Sequence, residues 1–252
     1  MLDEPTKMLY TKETGWRELK NMRKGEETRQ EMLAVAERLF CTKGYEATSV
    51  QDILNVLHIS KGGFYHHFTS KEEVLNTLCR MRAERAGERT EELLHSVHGP
   101  VERLNVLLHG FMPLRREEVP FMNMLLPLLK SPEGRTMGLC YQEALKDVFL
   151  PLLEREISSA QDQEIVHPPV AEVAGIILHL INCCWLDVAL GLIDDAKRAQ
   201  VHDTSALLSV LNRYRRSVEV LLDAPFGSVE MLRIDEWDEV ATRLTRTLML
   251  PM

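Results

Sequence analysis

Helical periodicity runs through almost the whole chain and limits its fold more than any other feature. Apolar residues recur at intervals of three and four, and almost none of the 252 residues belongs to a stretch that alternates apolar and polar side chains. A chain of this length that is 45% hydrophobic can bury a substantial core. The pattern therefore predicts an all-α fold, with a three-helix N-terminal domain over residues 26–72 and a larger helical body over residues 73–252.

The charge and the cysteine content exclude several classes of protein. A formal net charge of −8 argues against a protein that coats nucleic acid without regard to sequence, because such proteins are usually basic. A local basic patch stays possible, since residues 12–29 carry six basic against four acidic side chains. The five cysteines are scattered without a CxxC pair, so reduced and mostly buried thiols are expected, with neither a disulfide framework nor a zinc site.

The N-terminal region has no targeting pattern. No uninterrupted apolar run in the chain reaches the roughly 18 residues that a membrane span requires. The first ten residues also lack the basic segment followed by an apolar stretch that is typical of a secretion signal. We therefore expect a cytoplasmic protein with a polar N-terminal arm over residues 1–25, whose Trp16 packs on the body.

Capping residues divide the segment after this arm into four predicted helices. Ser and Thr side chains accept hydrogen bonds from the free N–H groups at a helix start, and Glu, Asp or Gln three positions later completes the cap. The predicted starts are Thr28 with Glu31, Thr48 with Gln51 or Ser49 with Asp52, Ser60, and Ser70 with Glu73. The predicted ends are Gly44, Leu57, His67 and Val97.

The second and third of these helices are spaced as a helix-turn-helix with a longer helix on each side. The third is too short and too polar to be stable alone, so Phe64 and Phe68 are predicted to anchor it while its other side chains point outward. Gly62 and Gly63 weaken such a helix by roughly 1 kcal/mol each relative to Ala. That cost is explicable if the helix backbone comes close to a DNA duplex.

Side chains suited to DNA surround this third helix. Its exposed positions and the following turn carry cations and hydroxyl groups that match phosphate oxygens and base acceptors. These residues are Lys61, Tyr65, His66, His67 and Lys71. Thr48 and Ser49 add hydroxyl and N–H groups at the positive end of the second helix, which suits one phosphate. On spacing alone, a chance helix-turn-helix pattern and ordinary surface histidines are the alternatives.

Residues 28–75 resemble the DNA-binding domain of the tetracycline-repressor (TetR) family. The resemblance is carried by the nearly complete pattern A-x-x-L-F, G-Y-x-x-T-S-V-x-D-I and S-K-G-x-F-Y-x-H-F-x-S-K-E. It implies contacts to the DNA backbone from Thr48, Ser60, Tyr65, His67 and Lys71, and contacts to bases or the groove from Lys61, Gly62, Gly63 and His66. Gly63 departs from the family pattern, which usually has a side chain there, so base specificity is not predicted.

The resemblance also implies a homodimer whose two third helices read a palindromic operator about one DNA turn apart. The sequence gives its own support, because residues 170–192 and 204–222 predict two well-formed amphipathic helices. Two such helices from each subunit can form a four-helix interface, in which Ala174, Gly175 and Ala189 permit close approach. The alternative is that both are core helices of a monomer. A helix kinked at Pro151 and a last helix over residues 228–248 complete the predicted body.

A small-molecule pocket is predicted in the body, where methionines are dense and aromatic residues fall on neighbouring helices. Methionine adapts to irregular ligand shapes, and cavities between helices commonly bind ligands. The candidate lining residues are Met112, Met124, Leu125, Tyr141, Phe149, His179, Cys183 and Trp185. Each of them also fits an ordinary core. His179 and Cys183 share one helix face, but two ligands are too few for a metal site, and no cofactor is expected.

The leading hypothesis is a transcriptional repressor that a small-molecule effector releases from its operator. An enzyme is the alternative from another class, with His109, Glu143, His179 and Asp187 as available acid–base groups. No nucleophile elbow, phosphate loop, HExxH or paired-carboxylate motif organises them, so catalysis is not expected. A helical adaptor that has lost DNA binding is the third alternative.

Overall fold

The computed structural model of the chain describes residues 25–112, 118–128, 132–197 and 204–231, together with Thr242. The chain divides into two compact units, Met1–Leu75 and Asn76–Met252, so the division falls close to the boundary predicted at residue 72. The predicted N-terminal arm, with Trp16, lies outside the described residues except for Gly25.

Every regular element in the described ranges is a helix, which confirms the all-α prediction. The helices are α1 (residues 25–43), α2 (Val50–Leu57), α3 (Lys61–His67), α4 (Lys71–Leu94), α5 (Pro100–Phe111), α6 (Val119–Leu128), α7 (Pro132–Asp162), α8 (Val173–Lys197) and α9 (Thr204–Leu222). The N-terminal unit contains α1–α3 and the first turn of α4, and the remaining helices belong to the C-terminal unit.

Apolar side chains from these first helices form the core of the N-terminal unit. The buried residues are Met32, Leu33, Ala36, Phe40, Ile53, Leu54, Phe64, Phe68, Val74 and Leu75. Gly44 follows the end of α1 with a φ of 91°, a left-handed conformation that favours glycine. His58 takes a φ of 54° between α2 and α3, so the turn of the helix-turn-helix also bends at a left-handed residue.

Three of the predicted helix starts, at Ser49, Ser60 and Ser70, are made by the predicted side chains. Ser49 and Asp52 form a complete capping box at α2, in which each side chain accepts a hydrogen bond from the other's backbone N–H. At α4, Ser70 Oγ accepts a hydrogen bond from Glu73 N–H at 3.2 Å. The Glu73 carboxylate accepts from the Thr69 N–H at 2.6 Å, one residue earlier than a capping box requires.

The predicted start of α1 at Thr28 is wrong, because the helix already includes Gly25. Within this earlier turn, Gln30 Nε2 donates to Glu26 Oε1 at 2.9 Å across one helical turn. Thr28 and Glu31 therefore lie inside the helix. The spacing of a capping box does not reveal whether the residues before it are helical as well.

In the C-terminal unit, α5 packs on α7 and α8, α7 on α8, and α8 on α9, while α6 packs against α7 and α8. Two glycines bring α4 close to its neighbours in this unit. A Cβ atom at Gly87 would lie 2.3 Å from Cγ1 of Val148 in α7, and one at Gly110 of α5 would lie 2.1 Å from Oγ1 of Thr90 in α4. Side chains at either position would push these helices apart.

Most helix boundaries of the body agree with the prediction. The helix over residues 204–222 is confirmed, the one predicted from residue 170 begins at Val173, and α4 ends at Leu94 rather than at Val97. Helix α7 continues through Pro151, as predicted. It ends only at Asp162, so the polar residues from Ser158 onward extend the helix instead of breaking it.

The predicted last helix does not begin at Ser228. Residues 228–231 are not helical, and the rest of that prediction lies outside the described residues except for Thr242. The Asn105 amide of α5 donates to the Ser228 carbonyl at 3.0 Å and accepts from the Glu230 N–H at 2.9 Å. These side-chain bonds replace the backbone bonds that a helix would supply. Val229 and Met231 are buried beside this segment.

Helix α8 is more apolar than the sequence analysis implied. Its Val173–Gly191 stretch has a mean hydropathy of 1.9, which is long and apolar enough to cross a membrane by length and composition. Half of that stretch is buried inside the protein, and His179, Asn182 and Asp187 interrupt it. The helix therefore has the character of a core helix of the C-terminal unit.

The five cysteines are free thiols, and only Cys79 and Cys184 are buried. Burial raises the pKa of each of these two thiols to about 12, so both stay protonated at neutral pH. The expectation of mostly buried thiols is wrong for the other three, which are partly exposed.

Arg103 of α5 joins three elements of the C-terminal unit. Its Nε and Nη2 atoms donate to the two carboxylate oxygens of Glu156 in α7 at 2.6 and 2.8 Å. Its Nη1 donates to the carbonyl of Leu94, the last residue of α4, at 2.6 Å and to that of Val97, three residues later, at 2.9 Å. Glu156 is buried, and the hydrogen bonds from Arg103 hold the pKa of its carboxyl below the usual range. Arg103 thus pairs a buried carboxylate and satisfies helix-terminal carbonyls together.

We predict that Arg103→Met lowers the free energy of unfolding by about 3–5 kcal/mol, because it leaves the Glu156 carboxylate buried without its bidentate partner. Urea denaturation followed by circular dichroism at pH 7 measures the loss. The loss shrinks as pH falls below the ordinary glutamate pKa of about 4.5, since a carboxyl with a depressed native pKa contributes its stability only above that range. The control is Arg155→Met, which removes an exposed partner of Glu156 and costs less than about 1 kcal/mol. Equal losses in the two variants would contradict this account.

Candidate nucleic-acid interface and effector cavity

Helix α3 has only seven residues and is fixed at both ends by contacts within the N-terminal unit. Ser60 is its N-cap, and the Ser60 Oγ accepts a hydrogen bond from the Gly63 N–H at 3.1 Å. Phe64 and Phe68 are buried with their ring centroids 5.9 Å apart. The Arg29 guanidinium of α1 lies over the Phe68 ring, 5.0 Å from its centroid. The predicted anchoring role of the two phenylalanines is therefore confirmed.

The other side of α3 faces solvent. Lys61, Gly62, Tyr65 and His66 are exposed, and Gly63 and His67 are half-buried. The four exposed positions recur at intervals of four residues and so share one face of the helix. This face carries an amine, a phenol and an imidazole beside two glycines. It can donate hydrogen bonds to phosphates and base edges along one groove.

The glycines of α3 are not required by packing inside the protein. A Cβ atom at Gly62 would lie 3.9 Å from the Ser60 Oγ atom, and one at Gly63 would lie 3.5 Å from the same atom. Both distances are ordinary van der Waals contacts, so alanine fits at either position. The two glycines weaken the helix, and packing inside the subunit does not require them. Close approach of an external partner to the helix backbone would explain their presence.

At the N-terminus of α2, Ser49 is exposed but its hydroxyl is already bonded. The Ser49 Oγ atom donates to Asp52 Oδ2 at 2.7 Å, and Lys43 Nζ donates to the same oxygen at 2.9 Å. These hydrogen bonds, with the one from Lys43 first, hold the pKa of the Asp52 carboxyl well below its usual range. A phosphate at this position would meet an ionised Asp52 and would compete with it for Ser49 and Lys43.

The structure does not place the Thr48 hydroxyl where the prediction put it. The Thr48 side chain is 0% exposed, and its Oγ1 donates to the Gly44 carbonyl at 2.7 Å. The hydroxyl satisfies the carbonyl of the glycine that ends α1, so it shapes the α1–α2 connection instead of reaching a phosphate. The sequence signal for a cap at Thr48 or Ser49 could not separate these two roles.

Lys71 is also engaged inside the N-terminal unit. Its Nζ donates to the Tyr45 carbonyl at 2.9 Å and lies 4.0 Å from the centroid of the Tyr45 ring. Tyr45 is buried and packs edge-on against Phe40 with centroids 5.1 Å apart. The half-buried lysine therefore holds the α1–α2 connection, and at most part of its hydrogen-bonding capacity is available to DNA.

The predicted effector residues separate into three groups in the C-terminal unit. Met112 and Tyr141 line a cavity of about 10 Å³, together with Ala86, Arg89, Gly110, Phe111, Glu118 and Leu145. Met124, Leu125, Phe149 and Trp185 are buried core residues outside that lining. His179 is exposed and Cys183 is half-buried, with 3.7 Å between the Cys183 sulfur and the His179 Nε2 atom. A place in an internal pocket is therefore wrong for His179 and Cys183, which lie on an accessible face of α8.

Sequence analysis missed the charged residues of this cavity. Glu118, Arg82 and Arg89 carry no motif, and their contacts join residues 29 and 36 positions apart. Among the described residues, no group of three or more side chains is arranged to hold a metal ion.

Helix α3 is short, held by two phenylalanines, preceded by a left-handed turn and lined on its outer side by hydrogen-bond donors, which is the geometry of the second helix of a helix-turn-helix. The family model described as "Bacterial regulatory proteins, tetR family" matches residues 32–78. Residues 32–78 of the N-terminal domain are therefore similar to the DNA-binding domain of this family.

Two characterised relatives support this assignment. The HTH-type transcriptional repressor KstR2 of Mycobacterium tuberculosis is 38% identical over 79 residues, which cover 31% of this chain and 40% of that protein. The repressor AcnR of Corynebacterium diphtheriae is 31% identical over 132 residues, 50% of this chain and 64% of that protein. The matches thus span less than two thirds of either relative. Both relatives are named as transcriptional repressors.

Solved structures share the fold over more of the chain. A TetR-family regulator from Syntrophomonas wolfei has a TM-score of 0.54 at 20% identity, covering 77% of this chain and 95% of that one. A transcriptional regulator from Saccharomonospora viridis in complex with choline has a TM-score of 0.51 at 23% identity, covering 76% and 96%. These likenesses extend the agreement in fold into the helical body.

We predict that Thr48→Val destabilises the protein by about 1–2 kcal/mol, because the part-buried hydrogen bond from the buried Thr48 hydroxyl to the Gly44 carbonyl is lost while the side-chain volume is kept. Thermal and urea unfolding measure the change. The matched control is Thr42→Val, since the Thr42 hydroxyl makes the same kind of bond to the Arg38 carbonyl at 2.7 Å but is exposed. We expect less than about 0.5 kcal/mol there. A Thr48→Val variant that is as stable as the wild type would contradict this structural role of the Thr48 hydroxyl.

Proposed function

We propose that this chain is a transcriptional repressor that binds a palindromic operator as a homodimer and leaves it when a small-molecule effector binds the C-terminal unit. The observation that supports DNA recognition is the outward face of α3, where Lys61, Tyr65 and His66 are exposed while Phe64 is buried. The two relatives that match this domain are named as transcriptional repressors. The proposed location is the cytoplasm, because a repressor must be in the same compartment as the DNA that it binds.

Within the proposed interface the residues divide by role. Lys61, Gly62, Gly63 and His66 approach the bases or the groove, and Ser60, Tyr65 and His67 contact the DNA backbone, with Ser49 and Lys71 beside them. Thr48 supports this interface by holding the connection between α1 and α2, because its hydroxyl is bonded to the Gly44 carbonyl and does not reach the DNA. Phosphate contacts fix the register of the helix, whereas base contacts select the sequence.

A dimer through α8 and α9 is supported by apolar side chains on their exposed faces. Ile176 and Leu190 of α8 stand two heptads apart on one side of that helix, with exposed fractions of 42% and 37%. Val220 of α9 is also exposed. Ala174 and Ala189 are buried within the subunit, so of the three small residues considered only Gly175 opens outward, with no atom within 4 Å of a Cβ placed there.

Effector control is supported by the cavity in the C-terminal unit and by ligands bound in proteins of the same fold. One neighbour is described in complex with choline and another, with a TM-score of 0.51, in complex with resorcinol. The cavity of about 10 Å³ holds roughly one water molecule, so a larger effector must displace side chains to enter. A ligand that binds one conformation better than the other shifts the balance between them.

The alternatives receive less support. Of the acid–base groups considered for an enzyme, Asp187 accepts a hydrogen bond from Tyr214 at 2.7 Å and His179 faces the exposed side of α8. An adaptor without DNA binding would have no reason to keep the donors of α3 outward. DNA binding is therefore the hypothesis to test first.

We predict that DNA flanking the coding region shifts the protein in a gel at physiological salt more strongly than a scrambled duplex does. Lys61→Ala and His66→Ala should each weaken specific binding by about 1–3 kcal/mol and relax the base preference at one position. The control is Lys146→Ala, which removes an exposed cation of α7 and should leave binding unchanged. Equal binding of the flanking and scrambled duplexes would refute the proposed function.

We predict that Ile176→Glu converts the dimer into a monomer, because it places one charge from each subunit at an apolar contact. Sedimentation velocity at micromolar concentration measures the mass. Leu93→Glu is the control, since Leu93 of α4 is exposed to a similar degree, at 47%, but lies outside α8 and α9. A wild-type monomer, or a dimer that both variants leave intact, contradicts the proposed interface.

A further inference from the structure

A carboxylate lies almost completely buried between two arginines in the C-terminal unit. Glu118 has a side-chain exposure of 8%, and it pairs with Arg82 and with Arg89 of α4. The Arg82 guanidinium also lies over the Phe121 ring, 4.3 Å from its centroid, which fixes its position. Burying a carboxylate is costly unless charged donors compensate it, so the two arginines are what allows Glu118 to be there.

One of these arginines is only partly satisfied. The Arg89 Nη2 atom lies 3.4 Å from Glu118 Oε1, which is long for a charge-assisted hydrogen bond. The Arg89 Nε atom is buried and has no hydrogen-bond partner among the residues that the structure describes. Both Arg89 and Glu118 line the cavity of about 10 Å³. Arg89 is therefore a half-buried arginine of the cavity lining whose buried Nε donor is unused.

The rest of the lining suits the two ends of a small organic acid. Tyr141 is buried, and desolvation together with the nearby Glu118 raises the pKa of its phenol. The phenol therefore stays protonated and can donate a hydrogen bond. Ala86, Phe111, Met112 and Leu145 supply an apolar wall. A lining that combines hydrogen-bond donors with hydrocarbon matches a carboxylate attached to an apolar group.

We propose that the effector carries a carboxylate, which replaces the Glu118 side chain as the partner of Arg82 and Arg89. This inference rests on the proposed function and adds the chemical class of the ligand. Glu118 then acts as an internal stand-in that keeps the arginines paired when no effector is bound. The ligand carboxylate can approach Arg89 from the cavity and use the Nε donor that Glu118 leaves free.

A purely structural ion pair is the competing explanation, and it makes different predictions. If Glu118 only stabilises the fold, Glu118→Gln lowers stability and creates no affinity for acids. If Glu118 occupies the ligand's place, the same substitution removes both a competitor and a like charge while keeping the side-chain shape. Affinity for carboxylates then rises while affinity for neutral amides does not.

The test is calorimetric titration of the full-length protein at pH 7.5 with acetate, hexanoate and benzoate, each beside its uncharged amide. In the wild type we expect at least one acid to bind about tenfold or more tightly than its amide, the ratio that a charge-assisted hydrogen bond supplies. In Glu118→Gln that acid should bind about tenfold more tightly again. Arg89→Gln should reduce its affinity to that of the amide.

The matched control is Arg80→Gln, which removes an exposed arginine of the same helix outside the cavity lining and should leave every affinity unchanged. The proposal is overturned if no acid is preferred over its amide in either the wild type or Glu118→Gln. It is also overturned if Arg80→Gln and Arg89→Gln reduce acid binding equally. The comparison of each acid with its amide in the wild-type protein does not require any variant to fold.

The titrations contain no DNA, so they separate this inference from the proposed function. Adding the preferred acid to the gel shift should release the flanking duplex, and its amide should not. An acid that binds as predicted but leaves the DNA complex intact contradicts its role as effector. Loss of DNA recognition in the ligand-free protein would instead count against the proposed function.

Discussion

The burial of Phe64 and Phe68 is the interaction on which the proposed DNA reading depends. Seven residues that include two adjacent glycines cannot hold a helix in water, since nucleation costs more than so few hydrogen bonds return. Tertiary packing must therefore supply the order, and both phenylalanines are almost completely buried. Because the two rings fix the inner side of α3, the side chains of Lys61, Tyr65 and His66 have only the outward direction left.

Placement of charge, and not its amount, makes this surface suitable for DNA. Residues 25–75 contain eight acidic and five basic side chains, so the net charge of the domain opposes a polyanion. The structure offsets part of this by pairing: Asp52 accepts from Lys43, and Glu73 caps the N–H of Thr69. What remains on the outer face of α3 is cationic or neutral. A protein arranged in this way gains little from nonspecific attraction and depends on fit to a particular site.

Local signals in the sequence predicted the N-terminal unit well. The caps at Ser49 and Ser60 and the inward phenylalanines all depend on residues within four positions of each other, and short-range rules describe them. The failures had a common cause. The inward hydroxyl of Thr48, the extended segment held by Asn105 and the outward His179 are decided by partners elsewhere in the fold. The cavity residues could not be predicted for the same reason, since Glu118 and Arg82 meet only through packing.

An internally paired site also explains how a small cavity can serve a sensor. An open pocket binds whatever fits, whereas a site filled by its own Glu118 disfavours neutral molecules, because they cannot replace the carboxylate that Glu118 offers to two arginines. The charge of a ligand then decides whether it can bind. The volume of the ligand-free cavity does not predict the size of the ligand. Binding must move Glu118 and whatever packs on it. A ligand that displaces a side chain necessarily distinguishes two conformations, which is the condition that any effector has to meet.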